Sequence, residues 1–250
     1  EGVRLGSIQA SLATMSVMSS WVPQSQILDA PFMFRDAAHV RRVLDGGTGN
    51  ELKAKFAAQN FEVKGFINYG ARHLLAKEAL SVPAQLKGKR IRVIQSPLHT
   101  ELWKAFGANP TPLPLTETYN ALQNGVVDMM DLTKSAYADF KLYEVVPWLI
   151  ETGHIWATGV VFFSAPFWKS LKPNEQAVFA AAAAAEGALY FDRLMVEDER
   201  ASVAKAAAAG GKVVQPQDRP AWEAGARGVW SDLGPKVGGI GKIEAIARSA

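Results

Sequence analysis

The sequence contains no cysteine, which excludes disulfide bonds, thiolate metal sites and cysteine nucleophiles from its 250 residues. This absence is compatible with export to an oxidising compartment. The chain also lacks the roughly 18 consecutive apolar residues that a membrane span requires. The alanine run at residues 180–185 is flanked by Glu175 and Glu186 and is typical of an ordinary helix. We therefore expect a protein that does not itself span a membrane.

A strong charge of one sign is missing as well. The 27 lysines and arginines nearly balance the 24 acidic residues, which leaves a formal net charge of +3. The short basic clusters are not interleaved with the aromatic residues that stack on nucleic-acid bases. We therefore expect no nucleic-acid partner, and the hydrophobic fraction of 48% is typical of a globular protein.

Short apolar segments alternate with helical patterns of about ten residues along the first half of the chain, which predicts parallel α/β sheets. One of these segments, residues 61–70, is expected to end as a strand at Gly70. Pro173 opens a helical pattern that continues to Gly210, with Gly187 as the expected kink. At 1.5 Å per residue, about 35 helical residues would span roughly 50 Å, which exceeds one small domain. We expect this helix to pack along two lobes.

The segment KGKRIRV, residues 87–93, is typical of a strand. Alternation places Ile91 and Val93 on one face and Arg90 and Arg92 on the other. An exposed charge on an edge strand is the simplest interpretation of such an arginine. A guanidinium that faces a cleft would instead bind a carboxylate through two parallel hydrogen bonds. The strand pattern alone leaves both interpretations open.

Three separated segments resemble a known family: residues 27–36 (ILDAPFMFRD), 68–93 (beginning NYGAR) and 107–128 (beginning GANPTP). In this order they resemble the solute-binding proteins of tripartite ATP-independent periplasmic (TRAP) transporters, the DctP-type family. The resemblance covers nearly the whole chain.

This resemblance implies an α/β, periplasmic-binding-protein-like fold of two lobes, with a central ligand cleft, several interlobe crossovers and a long helix spanning both lobes. Lobe I would comprise residues 1–69 and about 158–197, and lobe II about 70–157 and 198–250. The first strand–helix–strand unit of the family is not found in this sequence, so we expect further chain upstream of Glu1.

The family has two arginines that face the cleft, and they correspond to Arg72 and Arg92. The resemblance implies that Arg92 is the main carboxylate clamp, because its planar donors match a carboxylate. Arg72 would either contact the ligand directly, which we favour, or support Arg92 from behind. Asp131 is expected near the cleft, whereas Asp128 is expected in a turn.

The other predicted pocket residues are mostly apolar: Gln95, Leu115, Met130, Leu132, Thr14 and Met15. Leu132 stands where many relatives have an amide, and Leu115 also fits simple core packing. Each buried hydroxyl left unpaired would cost about 1–3 kcal/mol. We therefore expect a small monocarboxylate with an apolar or aromatic body, such as a 2-oxo or 2-hydroxy acid. A compact dicarboxylate of the C4 type that spans both arginines is the alternative.

The resemblance implies a periplasmic binding protein that delivers its ligand to the membrane subunits of a TRAP transporter, with no cofactor and no catalytic residue. We also expect no metal, although some members of the family bind a keto acid through a cation, because Asp131 and a few carbonyls are the candidate oxygen ligands near the cleft and calcium needs six to eight oxygens. The alternative is an α/β enzyme acting on an organic acid. No G-x-S-x-G or H-E-x-x-H motif occurs, and the four histidines lie far apart in the chain. Its only candidate base near the clamp is His99, which is more simply interpreted as a residue at a helix start.

Overall fold

The computed structural model describes residues 1–249, except for the side chains of Tyr190 and Asp192. In this part of the chain, seven strands form one mixed sheet in the order β1-β6-β2-β5-β3-β4, and β7 pairs with β6. The strands are β1 (Ala10–Thr14), β2 (Phe61–Ala76), β3 (Arg90–Val93), β4 (Asn109–Pro112), β5 (Met129–Thr133), β6 (Trp148–Ser164) and β7 (Lys212–Val214).

Two long strands dominate the sheet, because β2 has 16 residues and β6 has 17. They pair antiparallel from Phe61 opposite Ser164 to Ala76 opposite Trp148. Strand β1 joins the carboxyl end of β6, whereas β5 joins the carboxyl end of β2. The long β2–β6 pair therefore connects the part of the sheet that contains β1 with the part that contains β5. The parallel pairing predicted from the sequence is present only in part, because the β3–β4, β3–β5 and β6–β7 pairs are parallel and the other pairs are antiparallel.

The sequence pattern predicts that β2 ends at Gly70. In the structure the strand instead continues through Gly70 to Ala76. Gly70 has φ +90°, a left-handed conformation that side chains other than glycine rarely adopt. The register with β6 shifts at this point, and the Gly70 N–H donates to Asn68 Oδ1 at 2.9 Å. Gly70 is therefore a bulge inside a continuous strand, and it changes the face on which the following side chains lie.

Helices cover both faces of the sheet. They are α1 (Gly2–Leu5), α2 (Met15–Met18), α3 (Ala37–Asp45), α4 (Gly47–Ala57), α5 (Pro97–Ala105), α6 (Leu115–Gln123), α7 (Lys134–Asp139), α8 (Ala165–Ser170), α9 (Pro173–Leu189), α10 (Met195–Ala208), α11 (Arg219–Val237) and α12 (Ile240–Arg248). Short 3₁₀ segments cover Pro23–Asp29, Pro83–Leu86 and Leu142–Glu144. None of the helices in the described chain combines the length and the apolar character that a membrane crossing requires.

The long helical passage predicted from Pro173 onward is present. A π-helical turn at Tyr190–Leu194 joins α9 to α10, and the passage ends at Ala208. Helix α9 packs on β2, and α10 packs on α7, so the passage lies along both ends of the long strand pair. The irregularity follows Gly187 rather than lying at it, since the π turn begins three residues later.

The apolar core has two parts. The larger cluster surrounds the fully buried side chains of Phe56, Ile91 and Trp103, and the smaller one contains Leu75 and Met130. Both clusters include residues of the β3–β5 region, since Ile91 and Met129 belong to the larger cluster and Met130 and Leu132 to the smaller one. This region also carries both predicted arginines.

Candidate functional site

An open cavity of about 720 Å³ lies where β1, β2, β3 and β5 approach one another. Residues from both halves of the chain line it, for example Leu12, Ala13 and Thr14 from the first half and Leu132, Thr133 and Ala157 from the second. Six of the nine predicted pocket residues line this cavity: Thr14, Arg72, Arg92, Gln95, Leu115 and Leu132. The ligand contacts of these six residues stay predictions.

The other three predicted pocket residues, Met15, Met130 and Asp131, do not line the cavity, and each is 0% exposed. Met15 begins α2 and packs into the larger core cluster, whereas Met130 lies opposite Leu75 in the smaller cluster. Met130 and Leu132 lie two positions apart in β5 and therefore on the same face of the strand, but of the two only Leu132 reaches the cavity. These three side chains therefore do not face the cavity.

Arg92 is held in a central strand, since β3 pairs with β4 on one side and β5 on the other. Its interpretation as an exposed edge-strand charge is wrong, because the residue is only 2% exposed. Its Nε and Nη2 both donate to the carbonyl oxygen of Leu113, at 2.9 and 2.6 Å. Burial and the neighbouring Arg72 lower the pKa of Arg92 to about 10, so the guanidinium is charged at neutral pH.

Arg72 lies beside it and is anchored by a single aspartate. Its Nε donates to Asp131 Oδ2 at 2.7 Å, and its Nη2 donates to the Asp131 carbonyl oxygen at 2.7 Å. The carboxylate is fully buried beneath it. Burial alone would raise the pKa of Asp131, but Arg72 and two histidines hold it well below its usual range. Asp131 therefore orients Arg72 and does not face the ligand space.

His154 is the first of these histidines. Its Nε2 lies 3.1 Å from Asp131 Oδ2, and its Nδ1 lies 2.8 Å from Thr152 Oγ1. Thr152 Oγ1 accepts the N–H of Leu74 at 3.2 Å, so its own hydroxyl hydrogen is available to Nδ1. This arrangement places the imidazole hydrogen on Nε2, where it donates to Asp131. Burial lowers the pKa of His154, and Asp131 offsets this only in part.

His99 is the second histidine, and it is 0% exposed. Its Nδ1 lies 3.8 Å from Asp131 Oδ2, and its Nε2 lies 3.6 Å from Asp29 Oδ2 and 3.3 Å from Ser16 Oγ. Burial lowers the pKa of His99, but Asp131 and Asp29 raise it by more, so the net change is upward. Because His99 does not line the cavity, the enzyme alternative loses its only candidate base.

Thirteen further lining residues escaped the sequence analysis, among them Ser20, Trp21, Tyr69, Thr133 and Phe140. Thr133 lies directly opposite Arg72 in the β2–β5 pairing, which becomes visible only once that pairing is known. Tyr69 would face away from Arg72 in a regular strand, since the two differ by three positions. The bulge at Gly70 brings both to the same side.

A second, smaller groove of about 460 Å³ lies between the sheet and α9. Its lining is almost entirely apolar, and its one charged side chain is the acidic Glu186. It offers no cation to an acid ligand. Among the side chains that the structure describes, no group of three or more His, Cys, Asp or Glu could hold a metal ion.

Comparison with known proteins places this geometry among bacterial binding proteins. The profile of the DctP family, described as bacterial extracellular solute-binding protein, family 7, matches residues 1–235. A solute-binding protein of Verminephrobacter eiseniae (strain EF01-2) is 33% identical over 88% of this chain and 65% of its own length. The 2,3-diketo-L-gulonate-binding periplasmic protein of Escherichia coli (strain K12) is 31% identical over 88% of this chain and 67% of its own length. The chain thus spans about two thirds of these relatives.

Solved structures agree with the sequence relatives. A TRAP periplasmic solute-binding protein of Xanthobacter autotrophicus Py2, with bound β-D-galacturonate, superposes with a TM-score of 0.91 at 29% identity. The match covers 100% of this chain and 83% of that one. This likeness confirms the expected two-lobe α/β fold. The division into lobes at particular residues stays a prediction.

Proposed function

Because this chain belongs to the DctP family of bacterial extracellular solute-binding proteins, we propose that it captures a small organic carboxylate in the 720 Å³ cavity. We further propose that it does so in the periplasm and delivers the ligand to the membrane subunits of a TRAP transporter. Family membership confirms the resemblance drawn from three segments of the sequence. The family and its solved members are solute-binding proteins rather than enzymes, as the sequence predicts.

The observation that carries this proposal is the state of Arg92. Its buried guanidinium lines the cavity, and its two protein hydrogen bonds go to one neutral carbonyl, that of Leu113. Among the described residues it pairs with no carboxylate, although burying an uncompensated charge is costly. A ligand carboxylate would supply the missing anion and accept the remaining N–H groups. Arg72 would add a second positive charge next to it.

The body of the ligand follows from the rest of the lining. Beyond the arginines, the cavity wall includes Val17, Trp21, Leu115, Leu132 and Phe140, which are apolar. Burying apolar surface against such a wall gains about 25 cal/mol per Å². We therefore propose a monocarboxylate with an apolar or aromatic body, and with a 2-oxo or 2-hydroxy group that Gln95 would bind.

A second candidate is a hydroxylated sugar acid or a compact dicarboxylate. Ser20, Tyr69 and Thr133 add hydrogen-bonding groups to the cavity that the sequence analysis did not include. These three side chains could form hydrogen bonds with the hydroxyl groups of a sugar acid, which an apolar monocarboxylate lacks. The relatives named above, which bind diketogulonate and galacturonate, favour this class.

A titration panel separates the candidates. We would titrate 4-methyl-2-oxopentanoate, 3-phenyllactate, succinate and D-galacturonate by calorimetry, after thermal-shift screening, since a ligand of the native state raises its stability. Tight binding of a hydrophobic monoacid, abolished in Arg92→Ala, supports the first candidate. Tight binding of galacturonate or succinate alone supports the second. Binding that survives in Arg92→Ala contradicts the role of the cavity itself.

A further inference from the structure

Four buried ionisable side chains lie beneath the arginines and have no direct place in ligand capture: Asp29, His99, Asp131 and His154. Each is 1% exposed or less. In the described structure, neither carboxylate oxygen of Asp29 has a hydrogen-bond partner, and Asp131 Oδ1 has none. Unpaired carboxylate oxygens are costly in a protein interior. Such a cluster needs an electrostatic explanation.

The ion pairs identify the side chain that compensates them. Arg72 pairs with Asp131 and not with Asp29. Among the described residues, His99 is the one basic side chain within 4 Å of the Asp29 carboxylate, so a neutral His99 would leave Asp29 buried without a cationic partner. His99 lies between the two carboxylates, with Nε2 3.6 Å from Asp29 and Nδ1 3.8 Å from Asp131. Only the imidazolium form has an N–H on both ring nitrogens.

The same side chain joins distant parts of the chain. Asp29 ends the 3₁₀ segment Pro23–Asp29 before β2, whereas His99 lies in α5 and Asp131 in β5. Asp131 in turn holds Arg72 by two hydrogen bonds of 2.7 Å. A line of alternating charges thus runs from Asp29 through His99 and Asp131 to Arg72 at the cavity surface.

We propose that His99, as an imidazolium between Asp29 and Asp131, is a positioning residue for the carboxylate clamp. It fixes Asp131, Asp131 orients Arg72 toward the ligand, and the affinity for the carboxylate falls when His99 loses its proton. The effect of His99 on ligand affinity rests on the proposed function, whereas its effect on the orientation of Arg72 does not.

The sign of the effect follows from the charges that face His99. Asp29 and Asp131 favour its proton, whereas burial and Arg72 oppose it, and the net direction of its pKa is upward from 6.5. Loss of the proton removes a positive charge from below the clamp and leaves one carboxylate uncompensated. Affinity should therefore be highest below the pKa of His99 and should fall as the pH rises through it. The loss of Arg92 charge lies higher, near pH 10.

The first experiment needs no ligand. In ¹⁵N-labelled protein at pH 6, below the ordinary pKa from which that of His99 is raised, both ring nitrogens of His99 should have imidazolium shifts, with the signal assigned by its loss in His99→Gln. The Arg72 Nε–H should exchange slowly with water, and its exchange should become at least tenfold faster in His99→Gln. His39→Gln removes another buried histidine, one that contacts the Ile246 carbonyl, and should leave this exchange unchanged. A neutral His99, or an unchanged Arg72 exchange rate in His99→Gln, overturns the proposal.

The second experiment measures dissociation constants for D-galacturonate, succinate and 4-methyl-2-oxopentanoate between pH 6 and 9. The wild-type protein should lose about tenfold in affinity as His99 deprotonates, within the range typical of coupled sites. His99→Gln should bind weakly at every pH, and Asp29→Asn should shift the loss to lower pH. A His99→Gln protein that keeps the wild-type affinity and pH profile overturns the proposal. If none of the probes binds, the proposed function fails, and the Arg72 exchange still decides whether His99 positions it.

Discussion

At the scale of the residue, the hydrogen bonds of Arg92 determine what could replace it. One edge of its guanidinium is occupied by the Leu113 carbonyl, which accepts from both Nε and Nη2. The other edge is therefore the one that faces a ligand. A lysine has a single ammonium group on a flexible stem, so it cannot hold the carbonyl and a carboxylate in two fixed planes at once.

We therefore expect Arg92→Lys to weaken ligand binding by more than tenfold, or about 1.4 kcal/mol, and nearly as much as Arg92→Ala does. Calorimetric titration with the tightest ligand of the panel measures both variants. Arg90→Lys is the matched control, because Arg90 is two positions away, pairs with Asp128 and does not line the cavity. If Arg92→Lys bound within threefold of wild type, the clamp role of Arg92 would be wrong.

Replacing Asp131 is expected to lower the free energy of unfolding of the protein. In Asp131→Asn the Arg72 guanidinium would keep its charge but lose its buried counterion, at 2.7 Å in the native protein. Breaking one side of a buried pair typically costs 3–5 kcal/mol, so we expect a loss of about that size in the free energy of unfolding. Urea denaturation measures it.

Asp128→Asn is the matched control for that change. Asp128 lies three positions before Asp131 in the chain, and its partner is the exposed Arg90. Exposed ion pairs contribute little to stability. Equal destabilisation by the two substitutions would contradict the structural role given to the Arg72–Asp131 pair.

How far the sequence could identify the site depends on the kind of contact involved. Arg72 and Arg92 could be predicted from the sequence, because they occur in recognisable motifs and a guanidinium is suited to binding a carboxylate. His99, His154 and Asp29 lie in separate segments with no shared pattern, and only the fold brings them together. Asp131 was expected near the ligand, but the Arg72 side chain covers it. A carboxylate that orients an arginine and one that faces the cleft have the same appearance in a sequence.

At the scale of the element, the contact between α9 and β2 depends on two glycines. A Cβ at Gly187 would lie 2.6 Å from the Phe66 carbonyl oxygen, and one at Gly65 would lie 2.6 Å from the Ala183 carbonyl oxygen. These distances are too short for any real side chain. The two backbones therefore approach closely only because both positions lack a side chain.

We expect Gly187→Ala to destabilise the protein by about 1–3 kcal/mol, the usual cost of overpacking a close contact. Gly228→Ala in α11 is the matched control, because a Cβ there meets nothing within 4 Å. That control should stabilise the protein by about 0.4–1 kcal/mol, since alanine restricts the unfolded chain. Thermal and urea unfolding of both variants test the contrast. A neutral or stabilising Gly187→Ala would show that α9 moves away from β2 at no cost.

The sequence predicts the ends of helices and strands well where a local residue such as Pro173 determines them. It predicts them poorly where the end of a strand depends on pairing with another strand. The start of α9 at Pro173 and the strand at residues 90–93 agree with the sequence pattern. The length of β2 does not, because a glycine inside a strand looks like a stop signal until its partner strand is known. Gly187 gave a similar error, since it was expected to bend the helix but instead lets the helix approach β2.

At the scale of the whole molecule, the fold class followed from the sequence but the sheet did not. Alternating helices and strands favour parallel pairing, which holds for β3, β4 and β5. The long antiparallel pair of β2 and β6 has no continuous signature of its own, because glycines and polar residues interrupt the apolar pattern of both strands. These two strands and the helical passage from α9 to α10 are what connect the two halves.

The buried histidines predict how the stability of the whole protein depends on pH. Burial, with Lys134 and His154 nearby, holds the pKa of His73 well below 6.5, and burial likewise lowers the pKa of His39 and His154. Below pH 6.5 the unfolded chain binds protons that the folded protein does not, so the free energy of unfolding falls as the pH falls. His99 has the opposite sign, because its raised pKa gives stability that is present below pH 6.5 and lost as the pH rises through its folded pKa.

We therefore expect maximal stability near neutral pH, with a decline on the acid side that His73 contributes to and a decline on the alkaline side that His99 contributes to. Each histidine kept neutral in the fold contributes up to about 1.4 kcal/mol per pH unit below its unfolded pKa. Urea unfolding between pH 5 and 9 measures the profile. His73→Gln, which keeps an acceptor for the Gly153 N–H, should flatten the acid limb and leave the alkaline limb unchanged, whereas His99→Gln should flatten only the alkaline limb. An acid limb that is equally steep in His73→Gln and in wild type would mean that His73 is not the buried neutral group assumed here.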